Sequence, residues 1–253
     1  MKKYELTKDT YKTKFSKKPL YRIKATKDFV LSDGTKISKG DLGGYVSSLK
    51  NLSQDGSCWI MPEAAAIDCS QVIQDAILKD NALVMNNAEV RDNAIIKNSA
   101  LIKGFATIKD NASVAGFAVV KHIAVIKDNA KIIDNVIIRD SAVVCGSALI
   151  SGSAVVRDKA QVSNNAFVGD RASIEDNAIV SAGNISGFAI IRGNVNISSK
   201  DVFIKGKSVV TGNAILNKKT FINTNNTIGV NVFNCNKYSF NKSPDRIPPP
   251  QNL

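Results

Sequence analysis

Residues Asp92–Lys109, DNAIIKNSALIKGFATIK, contain three copies of one six-residue unit. Each copy begins with a turn-forming pair, continues with alanine and ends with a Val or Ile between two variable positions. The same unit extends on both sides of this stretch. Every sixth residue from Ala82 to Ala178 is alanine apart from Val136, and two places after each of them, from Val84 to Val180, stands Val or Ile. Repetition at a fixed short period is typical of a solenoid.

The unit predicts a short strand followed by a corner. The alternation Ala-x-Val places both apolar side chains on one face of the strand. The pair before each alanine usually starts with Asp, Asn or Gly, which tolerate left-handed backbone angles and so favour a corner. Three strands and three corners close a triangular coil of about 18 residues, and successive coils stack about 4.8 Å apart. Outward side chains 18 positions apart are therefore expected to form columns.

This pattern resembles the hexapeptide-repeat superfamily, whose members fold as a left-handed parallel β-helix and are best known among bacterial acyltransferases. The resemblance covers roughly residues 57–233. It implies the left-handed winding, which periodicity alone does not give. We therefore predict an all-β chain, a triangular left-handed parallel β-helix of about ten coils with a small N-terminal β-rich cap.

Three regions are expected along the chain. Residues 1–56 form the N-terminal cap and residues 57–233 the β-helix, whose register slips by one residue at Gly187–Ala189. Residues 234–253 form a C-terminal tail, whose Ser243–Pro250 stretch is too rich in proline to join a β-ladder.

The entry to the repeats carries a second, closer resemblance. Gly40–Val46 (GDLGGYV) and Gly56–Ile60 (GSCWI) are similar to the entry segment of uncharacterised bacterial and phage hexapeptide-repeat proteins, which are labelled acyltransferases by fold analogy. Fold alone is a weak guide to chemistry. We expect Tyr45 and Trp59 to form a hydrophobic plug between cap and helix.

One predicted outer face carries an aliphatic stripe beside a cation ladder. Its candidate binding residues are Leu83, Leu101, Val119, Ile137 and Val155 in the stripe and Lys103, Lys121, Arg139 and Arg157 in the ladder. Contiguous exposed apolar surface usually marks an interface, which predicts a homo-oligomer, a dimer or a trimer. Stacked like charges repel unless a counter-charge is near, which predicts an acidic protein or another anionic partner. The other reading is a solvated face on which the cation stems cover the aliphatic side chains.

Composition agrees with an anionic partner. The formal net charge is +12 and the pI is about 9.5, a balance that suits nucleic acid, an acidic protein or a membrane surface. Nucleic acid is the weaker expectation, because no aromatic residues are interleaved with the cations. No apolar run is long enough to span a membrane, and no secretory signal follows the first residues, so we expect a cytoplasmic protein without membrane insertion.

Neither metal nor cofactor is expected from the residues. The four cysteines, Cys58, Cys69, Cys145 and Cys235, contain no C-x-x-C pair and have no partnering histidines, which predicts free thiols and no zinc site. No phosphate-binding glycine motif is present. An acyl-CoA would be implied only if the chain were an acyltransferase of the resembled family.

His122 is the one candidate catalytic residue, because acyltransferases of the resembled fold use a histidine base. It occupies a corner with Asp140 one coil away, where a carboxylate could orient the imidazole. Asp is also the ordinary corner residue, which favours the reading of His122 as a solvent-facing corner substituent. From residue 80 to residue 181 the six-residue register never breaks, which leaves no inserted loop to enclose a substrate.

Three functions follow from these observations. The leading hypothesis is a non-catalytic scaffold or binding solenoid that presents flat faces for self-association and for an acidic partner. The alternative is an acyl-CoA-dependent acyltransferase that uses His122. A further alternative is a phage or virulence protein that inhibits a host factor.

Overall fold

The computed structural model describes residues 2–11, 19–225, 227–230 and 239–240. The predicted tail, 234–253, lies outside this part of the chain except for residues 239 and 240. The described residues are almost entirely β-structure and loops, and their one helical element is a 3-10 turn at Leu49–Asn51.

Three long sheets contain nearly all the strands. The first sheet consists, in spatial order, of β1 (Tyr4–Tyr11), β2 (Leu20–Ala25), β5 (Leu42–Val46), β7 (Ala65–Ala66), β10 (Leu83–Val84), β13 (Leu101–Ile102), β16 (Val119–Val120), β19 (Ile137–Ile138), β22 (Val155–Val156), β25 (Ser173–Ile174), β28 (Ile190–Ile191), β31 (Val209–Gly212) and β34 (Thr227–Val230). The second consists of β8 (Gln71–Val72), β11 (Glu89–Val90), β14 (Thr107–Ile108), β17 (Val125–Ile126), β20 (Val143–Val144), β23 (Gln161–Val162), β26 (Ile179–Val180), β29 (Asn196–Ile197) and β32 (Ile215–Leu216).

The third sheet consists of β6 (Trp59–Ile60), β9 (Ile77–Leu78), β12 (Ile95–Ile96), β15 (Ser113–Val114), β18 (Lys131–Ile132), β21 (Leu149–Ile150), β24 (Phe167–Val168), β27 (Asn184–Ile185), β30 (Val202–Gly206), β33 (Thr220–Thr224) and β35 (Ser239–Phe240). A separate hairpin pairs β3 (Phe29–Val30) with β4 (Lys36–Ile37). Each coil therefore gives one strand to each of three sheets. The prediction of a parallel β-helix with three faces and about ten coils is confirmed.

The core is a column of small and branched aliphatic side chains. Ala124 and Ile126, one alanine and one β-branched position of the same unit, are both fully buried, and the equivalent positions in the other coils are buried too. Alanine stands beside the corner, where little room is left, and Val or Ile fills the centre of the triangle. The six-residue alternation predicted this sorting, since a strand with period 2 sends only these two side chains inwards.

Every corner from Asp68 to Asp176 depends on a left-handed residue. Asp92, Asp110 and Asp128 stack on one corner with φ of 57°, 58° and 59°. The carboxylate of each accepts a hydrogen bond from the backbone N–H of the corner residue one coil further on, at 3.1 Å from Asp110 to Asp92 and 2.9 Å from Gly146 to Asp128. The corner carboxylate therefore not only tolerates the turn but also links two successive coils by a hydrogen bond, which we call a corner bracket.

The register slips one repeat earlier than the sequence suggested. Phe167 pairs with Asn184, so this coil has one residue fewer than the others, and Asn184 pairs with Phe203, so the next has one more. The short corner ends at Gly183, which is buried at the position that alanine holds elsewhere. Because glycine lacks the methyl group that marks this position, the pattern showed the slip only at Gly187–Ala189.

The N-terminal strands extend the first sheet. β2 pairs antiparallel with β1 and β5, and Tyr45 of β5 then pairs in parallel with Ala65 of the next coil. The buried ammonium of Lys3 lies 3.3, 3.2 and 3.0 Å from the carbonyl oxygens of Asp55, Gly56 and Cys58, which it satisfies at the open end of the helix. Desolvation lowers the pKa of Lys3.

The expected plug is half confirmed. Trp59 is buried and packs edge-on against the rings of Tyr4 and Phe29 at centroid distances of 6.4 and 5.3 Å. Tyr45, in contrast, is only half-buried. Its ring faces outwards against Tyr11, with the rings 5.4 Å apart, because Tyr45 occupies an outward position of its strand.

The corner brackets can be tested at Asp128. Replacing Asp128 with Ala forces a Cβ-bearing residue without a local acceptor into a left-handed conformation and removes the bond to Gly146, so the free energy of unfolding should fall by about 2–3 kcal/mol. Asp128→Asn keeps an acceptor oxygen and a residue that tolerates this conformation, and should cost less than about 1 kcal/mol. Urea denaturation followed by circular dichroism measures both. Equal stabilities of the two variants would contradict the bracket.

Candidate binding face

The first sheet presents the stripe and the ladder predicted from the sequence; we call this surface the basic face. Leu101 pairs in parallel with Val119, and Val119 with Ile137, so the outward residues form a straight column. Their side chains are partly exposed, with Ile137 the most open of the predicted stripe at 37%. The structure therefore places all nine predicted binding residues on one face, and whether they bind a partner stays a prediction.

The aliphatic column is longer than the sequence indicated. Tyr45 and Ala65 occupy the same outward position ahead of Leu83, and the ring of Tyr11 lies against Tyr45. After the polar Ser173 the column resumes at Ile190 and Val209. Tyr45 was missed because it lies in a strand that has no alanine repeat to mark its register.

In the cation ladder, which forms one outward column, the arginines are ion-paired and the lysines, among the described residues, are not. The guanidinium of Arg139 lies 3.1 Å from Asp140, and that of Arg157 lies 3.1 Å from Asp158 and 2.6 Å from Glu175. Lys103 and Lys121 form no ion pair with any described residue. The predicted repulsion along the ladder is thus partly relieved at the arginines by neighbouring carboxylates, and the uncompensated positive charge lies at the two lysines.

The two edges that bound the basic face carry exposed apolar side chains. We call the edge between the first and second sheets the His122 edge; Phe105 and Ile123 lie on it and are 64% and 56% exposed. The edge between the third and first sheets, the Phe117 edge, carries Phe117 and Phe188, at 69% and 50%. These four side chains are not among the residues predicted from the sequence, because turn positions are ordinarily polar; phenylalanine at a turn position was the available signal.

The third edge is polar, and we call it the asparagine edge. Asn93 donates to Asn111 at 3.2 Å and Asn111 to Asn129 at 3.3 Å, which makes a ladder of side-chain amides along this edge. Ser147 and Asn165 continue this edge. Exposed apolar side chains are therefore not scattered over all three corners, but are placed beside the basic face.

His122 lies at the corner with φ of 62°, and its Nδ1 is 2.7 Å from a carboxylate oxygen of Asp140. A carboxylate can only accept, so Nδ1 carries the proton and Nε2 is left as the basic nitrogen. Desolvation raises the pKa of Asp140, but the hydrogen bonds from His122 and from the Asp158 backbone, with the charge of Arg139, outweigh it and lower the pKa overall. The imidazole is thus oriented as in a general base.

The surroundings of His122 are open. Its side chain is 51% exposed, and Gly104, one coil before it, adds no side chain that could enclose a substrate. Among the described residues no group of three His, Cys, Asp or Glu side chains could hold a metal ion. The thiols of Cys58, Cys69 and Cys145 form no disulfide, and Cys235 lies outside the described residues.

No family model matches this chain, and a search of the curated proteins finds no match either. In the described part of the chain, none of the helices has the length and apolar character needed to cross a membrane.

Proposed function

We propose that the chain is a non-catalytic binding solenoid of the hexapeptide-repeat type, and that the basic face binds an anionic partner. The observation that carries this proposal is the pair Lys103 and Lys121. These two cations lie on adjacent coils beside Leu101 and Val119 and form no ion pair with any described residue. A partner that supplies negative charge next to apolar groups would satisfy both columns at once.

The rigidity of the scaffold supports a binding role. Successive coils fix the outward columns at the strand spacing, so the face is pre-organised and little conformational entropy is lost when a partner docks. The six-residue register, which is unbroken from residue 80 to residue 181, also leaves the face flat, which suits recognition of an extended surface better than enclosure of a small substrate.

The charge requirement can be tested with poly-L-glutamate as an anionic probe. The double variant Lys103→Glu/Lys121→Glu should bind it roughly tenfold more weakly than the unsubstituted protein, because two attractions become repulsions. The matched control is Lys109→Glu/Lys127→Glu, two lysines on the second sheet that change the net charge equally and also lack an ion pair among the described residues. Titration calorimetry at low salt measures both, and an equal loss in the two variants would contradict a specific face.

Self-association is the second use that we propose for a flat face, as a dimer or trimer. The long aliphatic column is an apolar surface that a second copy could cover. Val119→Asp/Ile137→Asp should leave the circular dichroism spectrum unchanged and convert the oligomer to a monomer in light scattering. A protein that is monomeric before substitution would refute self-association without affecting the anionic partner.

An acyl-CoA-dependent acyltransferase is the alternative function, and the His122–Asp140 contact is the observation that favours it. The imidazole is held with its basic nitrogen towards solvent, as a general base requires. If this alternative holds, acetyl-CoA should bind with measurable heat in calorimetry, and His122→Ala should abolish acyl transfer to an added acceptor amine or alcohol. Absence of acetyl-CoA binding would exclude this function.

A further inference from the structure

We propose that the basic face lies flat on an anionic lipid bilayer, with Lys103 and Lys121 over the headgroups and the apolar side chains of both bounding edges inserted between them. This inference rests on the proposed binding of an anionic partner and names that partner. It concerns attachment at the membrane surface, since no membrane-spanning segment is involved.

The placement of the apolar side chains indicates a planar partner. A triangular prism laid on a plane touches it with one face and the two edges that bound that face. Phe105 lies on one of these edges and Phe117 on the other, and they are the two most exposed large apolar residues in the described chain. A surface that reaches both edges at once must be flat over the whole width of the face, about 15–20 Å at the strand rise per residue.

The contacts also extend along the prism. Ile123 follows Phe105 by one coil on the His122 edge. Phe188 follows Phe117 by four coils on the other edge, a distance of about 19 Å at the strand spacing. Its ring is within 5.4 Å of the guanidinium of Arg171, which adds a cation at this end. Four apolar side chains thus surround the cations of the basic face. Surfaces that bind to membrane interfaces combine apolar and cationic side chains in the same way.

The corner positions make these side chains unusual for the fold. The equivalent positions on the asparagine edge hold polar residues that form a ladder, as Asn93, Asn111 and Asn129 do. Phenylalanine in the same position gives up such a hydrogen bond and exposes apolar surface to water, which is unfavourable unless that surface is covered. Insertion among lipid acyl chains covers it, and anionic headgroups attract each nearby lysine.

A second copy of the chain matches this face less well. If the two-fold axis runs across the prisms, the face of one copy meets the same columns of the other, so that Lys103 and Lys121 approach lysines and arginines. If it runs along the prisms, the aliphatic column of each copy meets the cation column of the other. Neither arrangement brings an unpaired carboxylate of this column to the lysines, because Glu175 is already paired with Arg157, whereas a bilayer that contains anionic lipid supplies free negative charge.

The test uses the full chain and sedimentation with vesicles. We expect binding to vesicles made of equal amounts of phosphatidylcholine and phosphatidylglycerol, and little binding to phosphatidylcholine alone. Lys103→Glu/Lys121→Glu and Phe105→Ser/Phe117→Ser should each weaken binding about tenfold. Lys109→Glu/Lys127→Glu on the second sheet and Asn111→Ser on the asparagine edge should stay within about twofold of the unsubstituted protein.

Insertion itself has a separate readout. In Phe117→Trp the new indole reports its surroundings, while Trp59 is buried and should not respond. The fluorescence of the indole at position 117 should shift to shorter wavelength with the anionic vesicles and remain unchanged with poly-L-glutamate. Circular dichroism of every variant confirms that the coils are intact.

The outcomes separate this inference from the proposed function. Three results would overturn the proposal that the partner is a bilayer. The protein fails to bind the anionic vesicles, Phe105→Ser/Phe117→Ser binds them as well as the unsubstituted protein does, or the two lysine double variants lose equal amounts of binding. If vesicles fail but poly-L-glutamate binds through Lys103 and Lys121, the partner is an acidic polypeptide and the proposed function stands. If neither binds, both proposals fall.

Discussion

A left-handed backbone corner once in every six residues is the constraint on which this structure depends. Each corner turns the chain by one side of a triangle, and the acceptor side chain at that corner also reaches the backbone N–H of the next coil. The two effects act together, since the first fixes the shape of a coil and the second fixes how coils stack. A residue with a short side chain that carries an acceptor, such as Asp128, satisfies both.

The outward columns follow from these corners. Because the coils that precede the slip at Gly183 have the same length, residues such as Leu101 and Val119 align without any contact of their own to hold them in place. Inward positions are almost all small or branched side chains that fill the triangle, whereas outward positions have no packing requirement. The chemistry of the outward columns and of the edges is therefore where the sequence is free to specify a partner, and there the two lysines and the exposed phenylalanines are found.

The sequence predicted the fold because the fold is local. Strand, corner and buried face are all contained in one six-residue unit, so that a single copy such as Asp92–Lys97 indicates all three. It predicted the columns for the same reason. It did not predict that Arg157 pairs with Glu175, because rotamers and charge neighbours depend on side chains from different coils. Gly183 hid the short corner because it lacks the methyl group by which the register was followed.

At the His122 corner, the side chain can either accept the backbone N–H of the next coil or donate to a carboxylate, but not both. At most corners a carboxylate or amide oxygen receives the N–H of the next coil, but Gly104 offers no acceptor to His122. The Nδ1 of His122 lies 2.7 Å from the Asp140 carboxylate and 3.3 Å from the Asp140 N–H. One protonated nitrogen cannot serve both, and the shorter contact to the carboxylate prevails. The left-handed corners Gly116, Gly146 and Gly152 likewise have no side-chain acceptor for the next coil, so the weaker corner at His122 is not confined to the coils that carry Lys103 and Lys121. What distinguishes His122 is that its side chain contacts the Asp140 carboxylate instead of accepting the backbone N–H of the next coil, so that an acidic neighbour orients an imidazole that stays half exposed.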